Sequence, residues 1–129
     1  MDIHEFIAAE AEKPFRWGET DCVSTAARWV KINAGVDLYP VISIYSTEEE
    51  AERSLSELGG LAVAVNRVMR KAGFQKTEDP QPGDVGLIIH NGKLCVAVHG
   101  GEFWFSHDEN GLIGAPLNAV WKAWRIECR

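Results

Sequence analysis

The chain has 129 residues, of which 46% are hydrophobic and 25% charged, and its formal net charge is −6. This length and composition are typical of one globular domain, residues 1–129, and the five tryptophans and five phenylalanines exclude a disordered chain. The 19 acidic against 13 basic residues argue against binding to nucleic acid and against docking on an anionic membrane.

The three cysteines, Cys22, Cys95 and Cys128, lie far apart and form no CxxC pair. The sequence therefore predicts neither a disulfide framework nor a metal site, and we expect no cofactor. The N-terminal segment lacks the basic start and apolar core of a signal peptide, and no stretch approaches the roughly 20 apolar residues of a membrane span. We therefore expect a reduced protein that is synthesised in the cytoplasm.

The first half of the chain predicts helices. A stripe of residues at helical spacing, with Glu10 as its polar member, predicts a first helix that ends before Pro14. A second helix is predicted over residues 22–33, with Thr20 or Asp21 as its N-terminal cap.

Two more helices are predicted after a loop over residues 36–45. The first of them, over residues 46–58, begins with hydroxyl side chains and three glutamates, which suit the positive end of a helix dipole. The second, over residues 61–72, has one apolar face and ends at Gly73.

Beyond residue 84 the chain predicts short antiparallel strands joined by glycine turns, over residues 85–89, 94–98 and 103–106, with further segments around 112–113 and 120–126. A two-residue hairpin at Gly100-Gly101 would pair His99 with Glu102, Val98 with Phe103 and Leu94 with His107. Helices followed by an antiparallel meander predict an α+β fold.

Cys22 is a candidate nucleophile because of its predicted position in the first turn of the second helix. Free backbone N–H groups and the helix dipole at this position stabilise a thiolate, so we expect the thiol pKa to fall below about 8.5. The alternative is a small buried core residue, a common fate of cysteine.

The segment PFRWGETDC at residues 14–22, followed by a helix and by PGDV at residues 82–85, resembles the W-G-x-x-D-C and Gly-Asp motifs of NlpC-type cysteine peptidases. The strand at residues 94–96 and the AWRI ending at residues 123–126 resemble more closely a phage- and prophage-encoded branch of these proteins. The resemblance implies a papain-like α+β fold, with a helical N-terminal half packed on a small antiparallel C-terminal sheet. It also implies that Cys22 is the nucleophile.

NlpC-type enzymes carry their catalytic histidine at the start of the second strand, and in this sequence Lys93 or Leu94 occupies that slot. The predicted hairpin register brings His107 beside the slot, and Asp108 follows it and could orient its ring. Each histidine of this half could instead be an exposed turn residue. The candidate bases, in order of preference, are His107, His90 and His99.

Three further residues have expected roles near the cysteine. Asp21 caps the helix and Trp17 packs against the sheet, so both would shape a substrate-binding cleft. Cys95, in the middle of a predicted strand, is expected to pack in the core, with a redox pair with Cys22 as the alternative.

Two functions follow from these observations. In the first, Cys22 attacks an amide carbonyl and a histidine shuttles the proton; the resemblance implies a peptidoglycan stem peptide as the substrate. In the second, the papain-like scaffold has lost catalysis and serves as a phage tail or tail-assembly component whose partners are other virion proteins. The W-G-x-x-D-C motif favours the first function, and Lys93 in the histidine slot favours the second. An unrelated α+β domain would require the motif to be accidental.

Overall fold

The computed structural model describes residues 2–17, 21–38, 47–50, 60–108 and 111–127. These residues form helices packed on an antiparallel sheet, which is the α+β architecture that the sequence predicts. The elements are α1 (Ile3–Ala11), α2 (Cys22–Ala34), α3 (Leu61–Ala72), β1 (Val85–His90), β2 (Lys93–His99), β3 (Trp104–Asp108), β4 (Gly111–Ala115), a 3₁₀ turn (Leu117–Ala119) and β5 (Val120–Trp124).

Side-chain caps fix where the first two helices begin. The Asp2 carboxylate accepts a hydrogen bond from the Glu5 N–H at 2.9 Å, and Asp21 Oδ1 accepts one from the Ser24 N–H at 3.0 Å. Gly35 ends α2 with φ = 72°, a left-handed conformation that glycine adopts without strain. The predicted role of Asp21 as the cap of α2 is therefore confirmed.

The helix predicted over residues 46–58 is described only at its start, where the Thr47 hydroxyl accepts a hydrogen bond from the Glu50 N–H at 3.1 Å. Its remainder, Thr20, residues 39–45 of the predicted loop and Cys128 lie outside the described residues. Within the described ranges, no helix is long and apolar enough to cross a membrane.

The five strands lie in the order β4-β3-β2-β1-β5, and all neighbouring strands are antiparallel. The first four strands form the predicted meander. The last strand returns across the sheet and pairs with β1, so that β1 lies between β2 and β5. The first strand of the meander therefore has a hydrogen-bonded neighbour on each side, and β4 and β5 are the two edge strands of the sheet.

The predicted hairpin register between β2 and β3 is wrong by two residues. Val98 pairs with Phe105 and His99 with Trp104, because the connection has four residues and is closed by a hydrogen bond from the Gly100 N–H to the Phe103 carbonyl at 2.8 Å. Phe103 therefore belongs to the connection instead of the strand. A shift of two residues preserves which face of the sheet each side chain occupies.

The two faces of the sheet carry separate apolar clusters. The face toward the helices holds the main core, and the opposite face holds a smaller cluster around Trp104. A β-carbon added at Gly86 would lie only 2.7 Å from the nearest atom of the Trp104 ring. Only glycine therefore fits at residue 86. The buried sheet residues of the helix-side core are Val85, Leu87, Val96, Val98, Phe105 and Trp124.

One buried ion pair joins the Gly-Asp and AWRI motifs. Asp84 is 2% exposed; its Oδ2 accepts hydrogen bonds from Arg125 Nε at 3.0 Å and from the Gln81 N–H at 2.8 Å. Its Oδ1 accepts a bond from the Ile126 N–H at 3.0 Å, and Arg125 Nη2 donates to the Asp79 carbonyl at 2.8 Å. The two motifs therefore fasten the start of β1 to the end of β5.

Candidate functional site

Cys22 is the first residue of α2, as predicted, and its half-buried side chain packs against the main core. Burial raises the pKa of its thiol to about 12, with further increases from the charges of Cys95 and Asp21. Hydrogen bonds from the backbone N–H groups of Val96 and Val23 act in the opposite direction but do not compensate.

The lowered thiol pKa predicted for Cys22 is therefore wrong. The helix N-terminus does offer N–H groups to the sulfur, but burial disfavours the charged thiolate more strongly. With a pKa of about 12, only about one molecule in 10⁵ carries the thiolate at pH 7.

His107 is buried on β3 and both of its ring nitrogens are bonded to groups other than Cys22. Nε2 lies 3.2 Å from the Glu10 carbonyl oxygen and Nδ1 lies 3.1 Å from the Thr25 hydroxyl. Because a carbonyl can only accept, Nε2 carries the proton of the neutral ring, and Nδ1 then accepts from Thr25. Burial lowers the pKa of His107, so this neutral tautomer is favoured.

The position of Thr25 shows how far His107 is from the predicted arrangement. Thr25 lies three residues after Cys22, one turn farther along the same face of α2, which corresponds to a rise of about 4.5 Å. The structure therefore brings His107 to the correct face of the helix but bonds it one turn beyond the cysteine.

Glu10 holds the other end of this network and was not identified as a site residue from the sequence. Its carboxylate is 1% exposed and receives Arg28 Nε at 2.7 Å, Arg28 Nη2 at 2.6 Å and Lys13 Nζ at 3.1 Å. Burial opposes the charged form, but the bonds and charges of Arg28 and Lys13 outweigh it and lower the pKa of Glu10. The network ties α1, α2 and β3 together.

The other histidines lie away from α2. His90 is at the β1–β2 turn, where its Nε2 is 3.3 Å from Asn91 Nδ2. His99 is buried against Trp104 on the opposite face of the sheet, and its Nδ1 accepts a hydrogen bond from the Gly101 N–H at 3.0 Å. The fourth, His4, is exposed on α1, so no histidine of the chain is bonded to the sulfur of Cys22.

Cys95 pairs with Ile88 on the face of the sheet away from the helices and packs against the smaller apolar cluster. Both it and Cys22 are free thiols. Burial raises the pKa of Cys95, the charge of Asp108 raises it further, and Lys93 opposes these effects. The charge of Asp108 therefore acts on Cys95, whereas the hydrogen bonds of the His107 ring are made to Thr25 and Glu10.

Trp17 lies in the segment before the cap residue and packs edge-on against Phe15, with ring centroids 5.0 Å apart. The predicted packing of Trp17 against the sheet stays a prediction. The carboxylate of Asp21 is buried and its Oδ2 accepts a hydrogen bond from the Ser24 hydroxyl at 3.1 Å, so its role is to start the helix.

An apolar cavity of about 40 Å³ lies between α2, α3 and the sheet, beside Cys22. Val23 and Val96, whose backbone N–H groups point at the sulfur, contribute side chains to its wall. A cavity with such a lining offers water no hydrogen-bond partner. The remaining lining residues are Ala26, Ala27, Leu38, Leu61, Ala64, Val65, Val68, Met69 and Val85.

The described residues contain no group of three or more His, Cys, Asp or Glu side chains arranged to hold a metal ion. A family model described as "Domain of unknown function (DUF6950)" matches residues 1–126, a range that contains every site residue named above. The search of curated proteins finds no match.

Proposed function

This chain belongs to the DUF6950 family, and we propose that it is a papain-like scaffold of NlpC type whose cysteine is not catalytic and which acts as a phage tail or tail-assembly component. One observation carries the proposal: both ring nitrogens of His107 are bonded to Thr25 and Glu10, and the nearby thiol of Cys22 is left without a base.

The scaffold part of the proposal is supported by the motifs that carry the NlpC resemblance. Cys22 begins a helix that is capped by Asp21, and the Gly-Asp pair begins the first strand of the sheet. The Arg125 of the AWRI ending is bonded to Asp84, which gives both motifs a structural purpose independent of catalysis.

The loss of catalysis is supported by the chemistry that a cysteine hydrolase requires. The attacking group is a thiolate, and it needs a base within about 2.6–3.2 Å to take its proton. Burial instead keeps the Cys22 thiol neutral, with a pKa of about 12. Turning His107 toward the sulfur would break its two hydrogen bonds, to Thr25 and to the Glu10 carbonyl.

The first experiment measures the alkylation rate of Cys22 by iodoacetamide against pH, with mass spectrometry resolving each cysteine. We expect a slow reaction whose rate still rises at pH 10, and the same profile in His107→Gln. Cys95, the other free thiol among the residues that the structure describes, serves as the reference within the same molecule. A plateau of the Cys22 rate below pH 8 that shifts in His107→Gln would contradict the proposal and establish an activated cysteine–histidine pair.

The second experiment tests the tail role in the phage or prophage that encodes the chain. We expect mass spectrometry to find the protein in purified particles, and we expect deletion of its gene to abolish infectious particles. The alleles Cys22→Ser and Cys22→Ala should support normal yields at normal protein levels. The proposal fails if both alleles are as defective as the deletion while the protein accumulates normally, because a catalytic thiol would then be required.

A further inference from the structure

The two edge strands of the sheet, β4 and β5, differ in how their outer backbone groups are used. Along β5, the segment that follows α3 lies against the outer edge. The Ala123 carbonyl accepts a hydrogen bond from the Thr77 N–H at 2.9 Å. The Arg125 N–H donates one to the Gln75 carbonyl at 2.8 Å. Together with a bulge in the pairing of β5 with β1, these bonds prevent a further strand from pairing with this edge.

β4 has the features of an open edge. Its five residues pair with β3 in an unbroken register, and none of them is charged or a proline. Apart from this pairing, no backbone group of β4 takes part in any hydrogen bond found among the described residues. An uncharged edge strand without a bulge is a template for the addition of another strand.

The register with β3 fixes which backbone groups of β4 face outward. Asp108 pairs with Gly111 across two intervening residues, and the pair that flanks a two-residue hairpin connection is a hydrogen-bonded pair. Hydrogen-bonded and non-hydrogen-bonded pairs alternate along antiparallel strands, so Ile113 also bonds β3. The N–H and C=O groups of Leu112 and Gly114 therefore point away from β3, toward the outer edge.

The side chains of β4 suit pairing with a second copy of the same strand. Leu112 is 39% exposed, and Gly114, two residues along on the same face, has no side chain. In an antiparallel pair of two β4 strands centred on Ile113, Leu112 of each copy lies opposite Gly114 of the other. The leucine then lies over the glycine and beside Phe103, whose ring is 3.2 Å from the position of a β-carbon on Gly114.

We infer that the outer edge of β4 pairs antiparallel with β4 of a second copy of this chain, so that a two-fold symmetric dimer joins two five-stranded sheets into one. The strand is complementary to itself. A two-fold axis at Ile113 pairs the outward N–H and C=O groups of Leu112 with those of Gly114 in both directions at once. It also sets no like charges opposite each other.

The dimer is expected to be weak and reversible. Pro116 directly follows β4 and cannot extend the pairing, so the contact is limited to five residues of each strand. The net charge of −6 on each copy also opposes association. Because such a contact is at the small end of protein interfaces, we expect a dissociation constant of about 0.1 mM.

The first test measures the mass of the full chain in solution by sedimentation equilibrium, with a reducing agent present so that no disulfide links two chains. We expect the average mass to rise from monomer toward dimer as the protein concentration increases from about 0.01 to 1 mM. Because the like charges of the two copies oppose pairing, raising the salt from about 0.05 to 0.5 M should tighten the dimer. A dimer that is held by charge pairs would weaken instead.

The second test locates the contact by amide hydrogen exchange, followed by nuclear magnetic resonance at low and high protein concentration. The N–H groups of Leu112 and Gly114 face solvent in the monomer and are bonded in the dimer. Their exchange should slow by about fivefold at about 1 mM, where a dissociation constant of about 0.1 mM leaves one fifth of the chains monomeric. The Ile113 N–H is bonded to β3 in both states and should change less than either.

Two substitutions of equal charge separate pairing at β4 from general effects. Leu112 and Leu117 are both 39% exposed, but Leu117 lies in the 3₁₀ turn after the strand. Leu112→Glu should weaken the dimer by at least about tenfold, because the two-fold axis makes each substitution act twice. The matched control Leu117→Glu adds the same charge and should weaken it by less than about threefold.

A third variant tests the backbone bonds without changing the charge. Leu112→Pro removes one outward N–H from each copy, and proline is tolerated on an edge strand where the N–H faces solvent. We expect the dimer to weaken by about tenfold, the effect of two lost hydrogen bonds. Thermal unfolding of each variant checks that the chain still folds.

The inference fails if the chain stays monomeric at about 1 mM. It also fails if Leu112→Glu and Leu117→Glu weaken the dimer equally, or if exchange slows on other strands and not at the outward groups of β4. The dimer does not depend on the state of Cys22. An activated Cys22 in a chain that pairs through β4 would refute the scaffold role alone, and a monomeric chain with a slow Cys22 would refute the dimer alone.

Discussion

The ion pair between Asp84 and Arg125 gives the sharpest test of the fold, because the substitution Asp84→Asn keeps the shape of the side chain and removes its charge. One oxygen of the new amide can still accept the Ile126 N–H. The amide nitrogen then replaces Oδ2 and faces two donors, the Gln81 N–H and Arg125 Nε, which it cannot satisfy.

The expected cost follows from these contacts. A buried donor left without an acceptor costs about 1–3 kcal/mol, and breaking a fully buried ion pair costs about 3–5 kcal/mol. Arg125 is 38% exposed, so water can satisfy part of its lost bond and the lower ends of these ranges apply. We expect Asp84→Asn to reduce the free energy of unfolding by about 3 kcal/mol.

Urea denaturation followed by tryptophan fluorescence measures this loss, and Asp79→Asn is the matched control. The substitution Asp79→Asn is the same chemical change in the same loop. The side chain of Asp79 is exposed, and the residue bonds Arg125 through its backbone carbonyl, which the substitution keeps. We therefore expect the free energy of unfolding to change by less than about 0.5 kcal/mol. The double variant Asp84→Asn with Arg125→Met should cost less than the sum of the two single changes. Additive losses, or a loss below about 1 kcal/mol for Asp84→Asn alone, would refute the ion pair as the fastener of β1 and β5.

Two further predictions concern the surroundings of Cys22. Burial lowers the pKa of His107, so below about pH 6.5 the unfolded chain takes up a proton that the folded chain does not. The free energy of unfolding should therefore fall from pH 7 to pH 5. In His107→Gln the fall should be less steep, and His99, whose pKa is also lowered by burial, should account for part of the slope that remains. A parent protein whose free energy of unfolding is flat over this range would contradict the prediction. Val68→Ile adds one methylene at the cavity wall and should stabilise the chain by about 0.8 kcal/mol. The control Val63→Ile lies on the exposed side of the same helix and should leave the free energy of unfolding unchanged. A destabilised Val68→Ile would show that the cavity has no room for the added methylene.

The helices were predictable because their determinants are local. Residues at intervals of three or four, a carboxylate cap such as Asp21 and a glycine such as Gly35 are all readable within one segment, and each acts through neighbouring backbone groups. The strands β1 and β2 were located to within a residue for the same reason, since alternation and the turn at Asn91-Gly92 are local patterns.

The register of β2 and β3 depends on contacts far apart in sequence and was not predictable from the turn. Gly100-Gly101 is compatible with a two-residue hairpin, but pairing of Trp104 with His99 brings the indole over Gly86 on another strand. Because the error was an even number of residues, it left Phe105 and His107 on the helix side of the sheet. The predicted face of His107 was therefore correct even though its partner was not.

The state of the thiol is decided by two opposed effects of different range. A helix N-terminus favours a negative charge by about 0.3–1 kcal/mol, and the sequence reveals it through the position of Cys22 after Asp21. The rise of the Cys22 pKa to about 12 corresponds to roughly 4 kcal/mol in the opposite direction, and it comes chiefly from burial in the folded chain. The motif alone therefore could not distinguish a nucleophile from a buried thiol.

Glu10 illustrates the same limit. Its place in an apolar stripe is visible in the sequence, but its two partners become neighbours only in the folded chain. Arg28 makes the burial of its carboxylate possible, and its backbone carbonyl holds His107.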